Sequence, residues 1–283
     1  MRESEDFILN RIDKNPEVEP ILDYAKKMER PDPRDFTDVY SSEEIDKDLR
    51  HLSKLEVKMD KGELVEKNKK RGEAFEIVLA DQVDWMGSEA LSTLTSRYDD
   101  VVNGVDVVVE FEEEKLAFAV DASINCDPAK IKEKVEKSLG KVMQGGCKVK
   151  YFQSQKDNYK GSLEGLIPVV VGLEKENADE LLRTFSRLKR LEKEKKEDMK
   201  STRNELREKL YETPLQGVFL RQIKAQLQMY IAATENDLVR EQCETILRIM
   251  DSVTKEKEDV LYSKDSVPDD GVLDAIESIS EKY

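Results

Sequence analysis

The stretch from residue 98 to 125, YDDVVNGVDVVVEFEEEKLAFAVDASIN, restricts the fold of this chain more than any other. Asn103-Gly104 is a turn signal leading into the run VDVVVEF, a charged reversal at residues 112–115 follows, and LAFAVDAS returns. Both runs are rich in β-branched and aromatic residues, so they read as two buried strands of a hairpin.

Each strand carries an acid inside its apolar run, Asp106 in the first and Asp121 in the second. Burying a carboxylate is costly unless something cationic meets it. Side chains alternate with period two, so Asp106 shares a face with Val108 and Glu110, and Asp121 with Ala119 and Ser123. An antiparallel return brings the start of one strand to the end of the other. Asp106 and Asp121 are therefore candidate metal ligands, and oxygen donors without histidine suit Mg²⁺, Mn²⁺ or Ca²⁺. The competing reading makes one a strand-end acid and the other a turn acid binding backbone amides.

Upstream, ELVEKNKKRGEAFEIVLADQVDWMG reads as one helix or two abutting ones, with Leu64, Phe75, Val78, Leu79, Val83 and Trp85 as buried candidates. Glu73 and Glu76 lie three apart and so near one face. An acid on a helix, an Asp on a strand, then an acid two residues before a final motif position resembles the PD-(D/E)XK nuclease superfamily. Asp106 matches its first Asp, Asp121-Ala122-Ser123 its tripeptide, and Glu73 or Glu76 its accessory acid. The resemblance implies an α/β fold with a small mixed sheet flanked by helices, a restriction-endonuclease-like core, and metal-dependent cleavage of nucleic acid. It also implies catalytic roles for Asp106, Asp121, Ser123 and Glu73 or Glu76. The motif's Lys is here Ser123, whose hydroxyl supplies no positive charge. Lys130, Lys134 and Lys137 on the following helix are candidates to replace it. Over residues 70–250, YDDVVNGVD, VKYF, LIPVVVG and TPLQ also resemble an uncharacterised protein family of candidate-phyla bacteria, which implies no activity.

After the hairpin, Asp127-Pro128 predicts a helix start with Asp127 as cap. Ile131, Val135, Leu139 and Val142 then form its inward stripe. Residues 126–160 hold nine lysines against four acids, whereas residues 96–125 hold two basic residues against eight acids. Lys130, Lys134 and Lys137 are thus candidate contacts to a nucleic-acid backbone, although a solvated helix face gives the same pattern. Strands at residues 148–152 and 166–172 complete the expected sheet.

The remaining organisation is coarser. Residues 1–60 mix prolines, charges and short apolar clusters, and read as a helical or partly disordered arm; residues 61–175 are the α/β core. From 176 to 262 a loose three-four spacing through Leu181, Phe185, Leu188, Met199, Leu206 and Leu210 predicts a coiled-coil-like helix. Thr213-Pro214 ends it, and a second helix carries Phe219, Ile223, Leu227, Tyr230, Leu238, Ile246, Met250 and Val253. The expected form is an antiparallel α-helical hairpin projecting from the core, suited to self-association or to a protein partner. Residues 263–283 read as a mobile tail with a short helix at 272–279.

Composition excludes several chemistries. His51 is the lone histidine, in a polar segment away from any acid cluster, which removes HExxH zinc sites and argues against Ser-His-Asp or Cys-His catalysis. The three cysteines have no metal-ligand spacing and read as reduced thiols of a cytoplasmic protein. No P-loop, secretory leader or membrane span is expected. The net charge of −15 argues against a chain coated for nucleic-acid binding but leaves room for a local basic groove. Two functions remain: a metal-dependent phosphodiesterase, or a nuclease-like scaffold without turnover that binds a partner.

Overall fold

The computed structural model describes residues 18–28, 30–58, 63–87, 89–124, 127–155, 159–195, 197–261 and 268–283. Its sheet comprises β1 (Ala90–Leu94), β2 (Val107–Phe111), β3 (Leu116–Ile124), β4 (Cys147–Gln153) and β5 (Lys160–Leu173), in the order β1-β2-β3-β5-β4. β3 and β5 run parallel; the other neighbours are antiparallel. The fold is therefore α/β with a mixed sheet. The expected hairpin is β2–β3, closed at Glu112–Lys115 with Lys115 at φ 51°. Asn103-Gly104 instead ends a π-helical turn (Asp99–Asn103), with Gly104 left-handed at φ 61°.

Strand alternation gives the sheet two apolar faces. Val107, Val109, Phe111, Phe118 and Val120 enter the large core, while Val108 and Ala119 enter a smaller cluster with Val149, Phe152 and Leu166. Bulges between β4 and β5 accompany a curl that lets Gln155 Nε2, beyond β4, donate to Ser92 O of β1 at 2.7 Å. β1 was absent from the sequence expectation; its five residues, ALSTL, are too short and too polar to announce a strand.

Helices cover the sheet. α1 (Glu19–Ala25) and α2 (Ser42–Lys58) belong to the N-terminal arm, and α3 (Glu63–Asp81) buries Phe75, Val78 and Leu79. Trp85 is also buried and stacks on Phe219, Val83 is partly buried, and the Leu64 side chain lies outside the described residues. The arm docks on the core: Phe36, Ile45 and Tyr151 form a satellite cluster, and Tyr151 Oη donates to Asp48 at 2.8 Å. Residues 1–17 of the expected helical or partly disordered arm lie outside the described residues. α4 (Pro128–Met143) starts as expected, with Asp127 accepting from Ala129 N at 3.0 Å. Ile131, Val135 and Val142 are buried, and Leu139 is partly so.

The C-terminal half departs from the projecting pair of long helices. Residues 175–256 form α5 (Lys175–Glu194), α6 (Lys200–Tyr211), α7 (Leu215–Ala233) and α8 (Asp237–Glu256). Their apolar side chains share one cluster with the sheet. The reason lies on β5. β4 pairs only with residues 160–166, and beyond that α7 takes the place of a strand. Gln226 accepts from Val170 N and donates to Val170 O, both at 2.8 Å; Gln222 does the same to Gly172 at 2.9 and 2.8 Å. Four residues of helix rise about 6 Å and two residues of strand about 6.6 Å, so glutamines four apart meet backbone groups two apart. Gly172 also permits the parallel contact with β3, since a Cβ there would lie 2.4 Å from Ser123 O. Leu238, expected in the apolar stripe, is 73% exposed in the first turn of α8.

From residue 268 onward the expected mobile tail instead packs on the core, and the short helix expected at 272–279 is present. After the short α9 (Glu258–Leu261), α10 (Gly271–Ser280) buries Val272, Leu273, Ile276 and Ile279 against α7 and α4. Asp270 caps it, accepting from Val272 N and Leu273 N, and also accepts from Glu174 N at 3.0 Å. Among the described residues no helix is long and apolar enough to cross a membrane.

Candidate metal centre

Asp106 immediately precedes β2 and is clamped by its own backbone: its N–H donates to Val120 O at 2.9 Å and its carbonyl accepts from Thr95 N at 3.0 Å. Its side chain is buried, and Oδ2 accepts from Ala122 N at 2.7 Å, beside Asp121. The hairpin thus brings the two strand acids together, as the antiparallel return requires.

Two further acids arrive from outside the hairpin. On α3, Phe75 and Leu79 point into the core, and Glu76 is turned to the flank that meets Asp106; Glu73 is exposed. The π-helical turn supplies Asp100. That turn is fixed by the neighbouring Asp99, fully buried, which accepts from Ser96 Oγ (2.7 Å), Asn103 Nδ2 (2.6 Å), Lys150 N (2.7 Å) and Tyr151 N (3.0 Å). Asp99 is a structural carboxylate whose donors replace its lost hydration. Asp100, next to it, is left to face Glu76 and Asp106.

Glu76, Asp100 and Asp106 each place a carboxylate oxygen within 4.8 Å of the other two. Like charges near 4 Å repel by about 4 kcal/mol per pair at an effective dielectric of about 20. Protonation and nearby cations relieve that repulsion here. Burial pushes the Asp106 carboxyl well above the usual range, and the Glu76, Asp121 and Asp100 charges add to the shift. Burial also raises Glu76, with Asp100 adding and Arg30 opposing. Arg30 Nη2 lies 2.9 Å from Glu76 Oε2 and its Nη1 3.5 Å from Asp100 Oδ2. Arg97 pairs with Asp100 and with Glu56.

Asp121 stands beside this triplet. Its Oδ1 accepts from Lys134 Nζ of α4 at 2.6 Å. Burial alone would lower the Lys134 ammonium, but the Asp121, Asp106 and Glu76 carboxylates outweigh it, and the net shift is upward. Lys134 therefore keeps its charge and cannot act as a base at neutral pH. Ser123 is 8% exposed, two residues on from Asp121. The other two lysines do not join: Lys130 is exposed, and Lys137 is exposed and pairs with Glu133 at 2.7 Å.

An all-oxygen set of three carboxylates fits Mg²⁺ or Mn²⁺, whose preferred donors are hard oxygens. The residues present could therefore hold a divalent ion, with the Lys134 ammonium alongside. Of the residues named from the sequence, Glu76 and Asp106 fall in this cluster, whereas Asp121, expected as a metal ligand beside Asp106, lies outside it and pairs with Lys134; Asp100 and Arg30 were not named. The signal for Asp100 was legible: Asp99 with Asn103 four residues on marks a helical turn, which aims its neighbour elsewhere. Arg30 sits in a charged, proline-rich arm and had none. No protein-family model, curated protein or solved structure matches this chain.

Proposed function

We propose that this chain is a Mg²⁺- or Mn²⁺-dependent phosphodiesterase acting on nucleic acid, with a nuclease-like core of the PD-(D/E)XK kind. The observation that carries the reading is the meeting of Glu76, Asp100 and Asp106 beside the Asp121–Lys134 pair. Glu76, Asp100 and Asp106 hold the metal. When bound, a divalent ion polarises the phosphoryl oxygen and acidifies water. The Lys134 ammonium supplies the positive charge that the motif position Ser123 lacks, facing the charge that builds on phosphate. Asp121 orients that ammonium, and Asp106, held by the Ala122 amide, keeps the site rigid. Lys130 and Lys137 remain solvated and add only a weak, salt-sensitive hold on a phosphate backbone.

A second reading, a scaffold without turnover, is favoured by the −15 net charge and by Arg30, which already pairs with Glu76. Calorimetric titration with Mn²⁺ separates the two. The hydrolase reading expects one bound ion per chain, lost in Asp106→Asn, and cleavage of single- or double-stranded nucleic acid by the loaded protein. Absence of any Mn²⁺ binding favours the scaffold.

A further inference from the structure

Arg30 is not part of the hydrolytic machinery, yet its guanidinium lies across two of the three carboxylates that would hold the ion. Nη2 is 2.9 Å from Glu76 Oε2 and Nη1 is 3.5 Å from Asp100 Oδ2. The third acid, Asp106, is more than nine-tenths buried, and its Oδ1 has no hydrogen-bond partner among the described residues. The guanidinium meets only the two neighbours of this carboxyl and makes no ion pair with Asp106 itself.

The chain around Arg30 is tied at both ends. On one side Ile21 of α1 is fully buried, and Tyr24 donates to Asp81 of α3 beneath the Lys189 ammonium. On the other, Phe36 is fully buried against Tyr151. Between these anchors, Arg30 is followed by Pro31 and by the short 3₁₀ helix Pro33–Phe36. Proline limits the backbone to few conformations at Pro31 and Pro33, so residues 30–36 act as a strap from which the Arg30 side chain can leave while Phe36 stays docked.

We propose that this strap holds Arg30 in the acid cluster as a resident counter-cation, and that a divalent ion binds by displacing the guanidinium. The inference rests on the reading of Glu76, Asp100 and Asp106 as metal ligands. A guanidinium donates along the carboxylate lone pairs, and a divalent ion needs the same oxygens at about 2.1 Å. Two cations on these oxygens also repel each other. Arg30 therefore sets the metal concentration at which the site becomes occupied, and any contact that draws the strap away raises its affinity.

The test compares Mn²⁺ affinity, by calorimetry, in the native chain, Arg30→Met, Arg30→Lys and Asp106→Asn. Removing a competing cation should tighten binding in Arg30→Met by about tenfold, within the usual range of coupling between two sites. Arg30→Lys, which keeps the charge and loses the fork, should fall between. Amide exchange of residues 26–36 in the native chain provides a readout without mutation: it should speed up severalfold when Mn²⁺ saturates. If the native chain binds Mn²⁺ but Arg30→Met binds no tighter and exchange does not change, the strap proposal is overturned and the metal centre stands. If neither the native chain nor Arg30→Met binds Mn²⁺, both fall.

Discussion

Lys134 donates to Asp121 across 2.6 Å, from the second turn of α4 to the second half of β3. Under the proposed function this helix lysine would supply the charge that Ser123 cannot. Replacing Lys134 by Met should lower a metal-dependent cleavage rate by about 10²–10³-fold, the usual effect of removing one group that stabilises transition-state charge. The pair is about one-third exposed on the lysine side, so the stability loss should stay near 1 kcal/mol. Lys130→Met and Lys137→Met should leave the rate within about twofold, since both lysines are solvated. Single-turnover rates with binding measured separately decide this; three similar losses of affinity would mean a general electrostatic grip.

Ser123→Lys, which restores the motif, should not improve the protein. Ser123 is buried on the strand face of Asp121, so a lysine there overfills the site and sets a second ammonium against Lys134. Overpacking costs about 1–3 kcal/mol. Urea unfolding should show that loss, and the cleavage rate should not rise. A faster Ser123→Lys protein would mean that Lys134 does not fill the role.

The acid cluster has a pH signature. Asp106 and Glu76 have folded-state pKa values above their unfolded ones. Below about pH 4 both groups are protonated in either state, and their contribution is fully present. As pH rises, the unfolded chain releases these protons first, and this stability is lost up to and through the folded pKa. In metal-free buffer, Asp106→Asn should therefore lose less stability than the native chain between pH 4 and 8, and Mg²⁺ should reduce the native loss. Urea midpoints across that range check it, and parallel curves would contradict a strained carboxylate at Asp106.

Much of the site was legible because it lies where local rules act. Strand alternation and the antiparallel return placed Asp106 near Asp121, and the cap at Asp127 with the stripe Ile131–Val135 oriented α4 and hence Lys134. The errors came where tertiary contacts decide. The spacing through α5 to α8 says that these helices bury one side but not against what, and only the amides at Val170 and Gly172 explain why Gln222 and Gln226 are buried. Residues 263–283 read as a mobile tail apart from a short helix, yet Asp270 is a buried cap joining α10 to Glu174. Arg30 depends on a fold-back of the arm that no local pattern encodes.

That packing makes the C-terminal helices part of the core. Gln226→Leu strands the amide and carbonyl of Val170 in a buried position, at about 1–3 kcal/mol for each lost partner. Its urea midpoint should drop accordingly, while Leu238→Ala, at an exposed position, should change it little. A chain cut after residue 175 should fail to show a cooperative transition. A stable, cooperatively unfolding 61–175 fragment would mean that the sheet completes its own core.

The most direct measurement is hydrolysis of single- and double-stranded DNA and RNA by the purified native chain in saturating Mn²⁺, against the same protein in chelator and against Asp106→Asn. Cleavage of at least one substrate is expected with Mn²⁺ alone, falling by about 10²-fold or more in Asp106→Asn while the variant remains folded. No cleavage of any substrate by the native chain, or equal cleavage by Asp106→Asn, would contradict a hydrolytic centre at Glu76, Asp100 and Asp106.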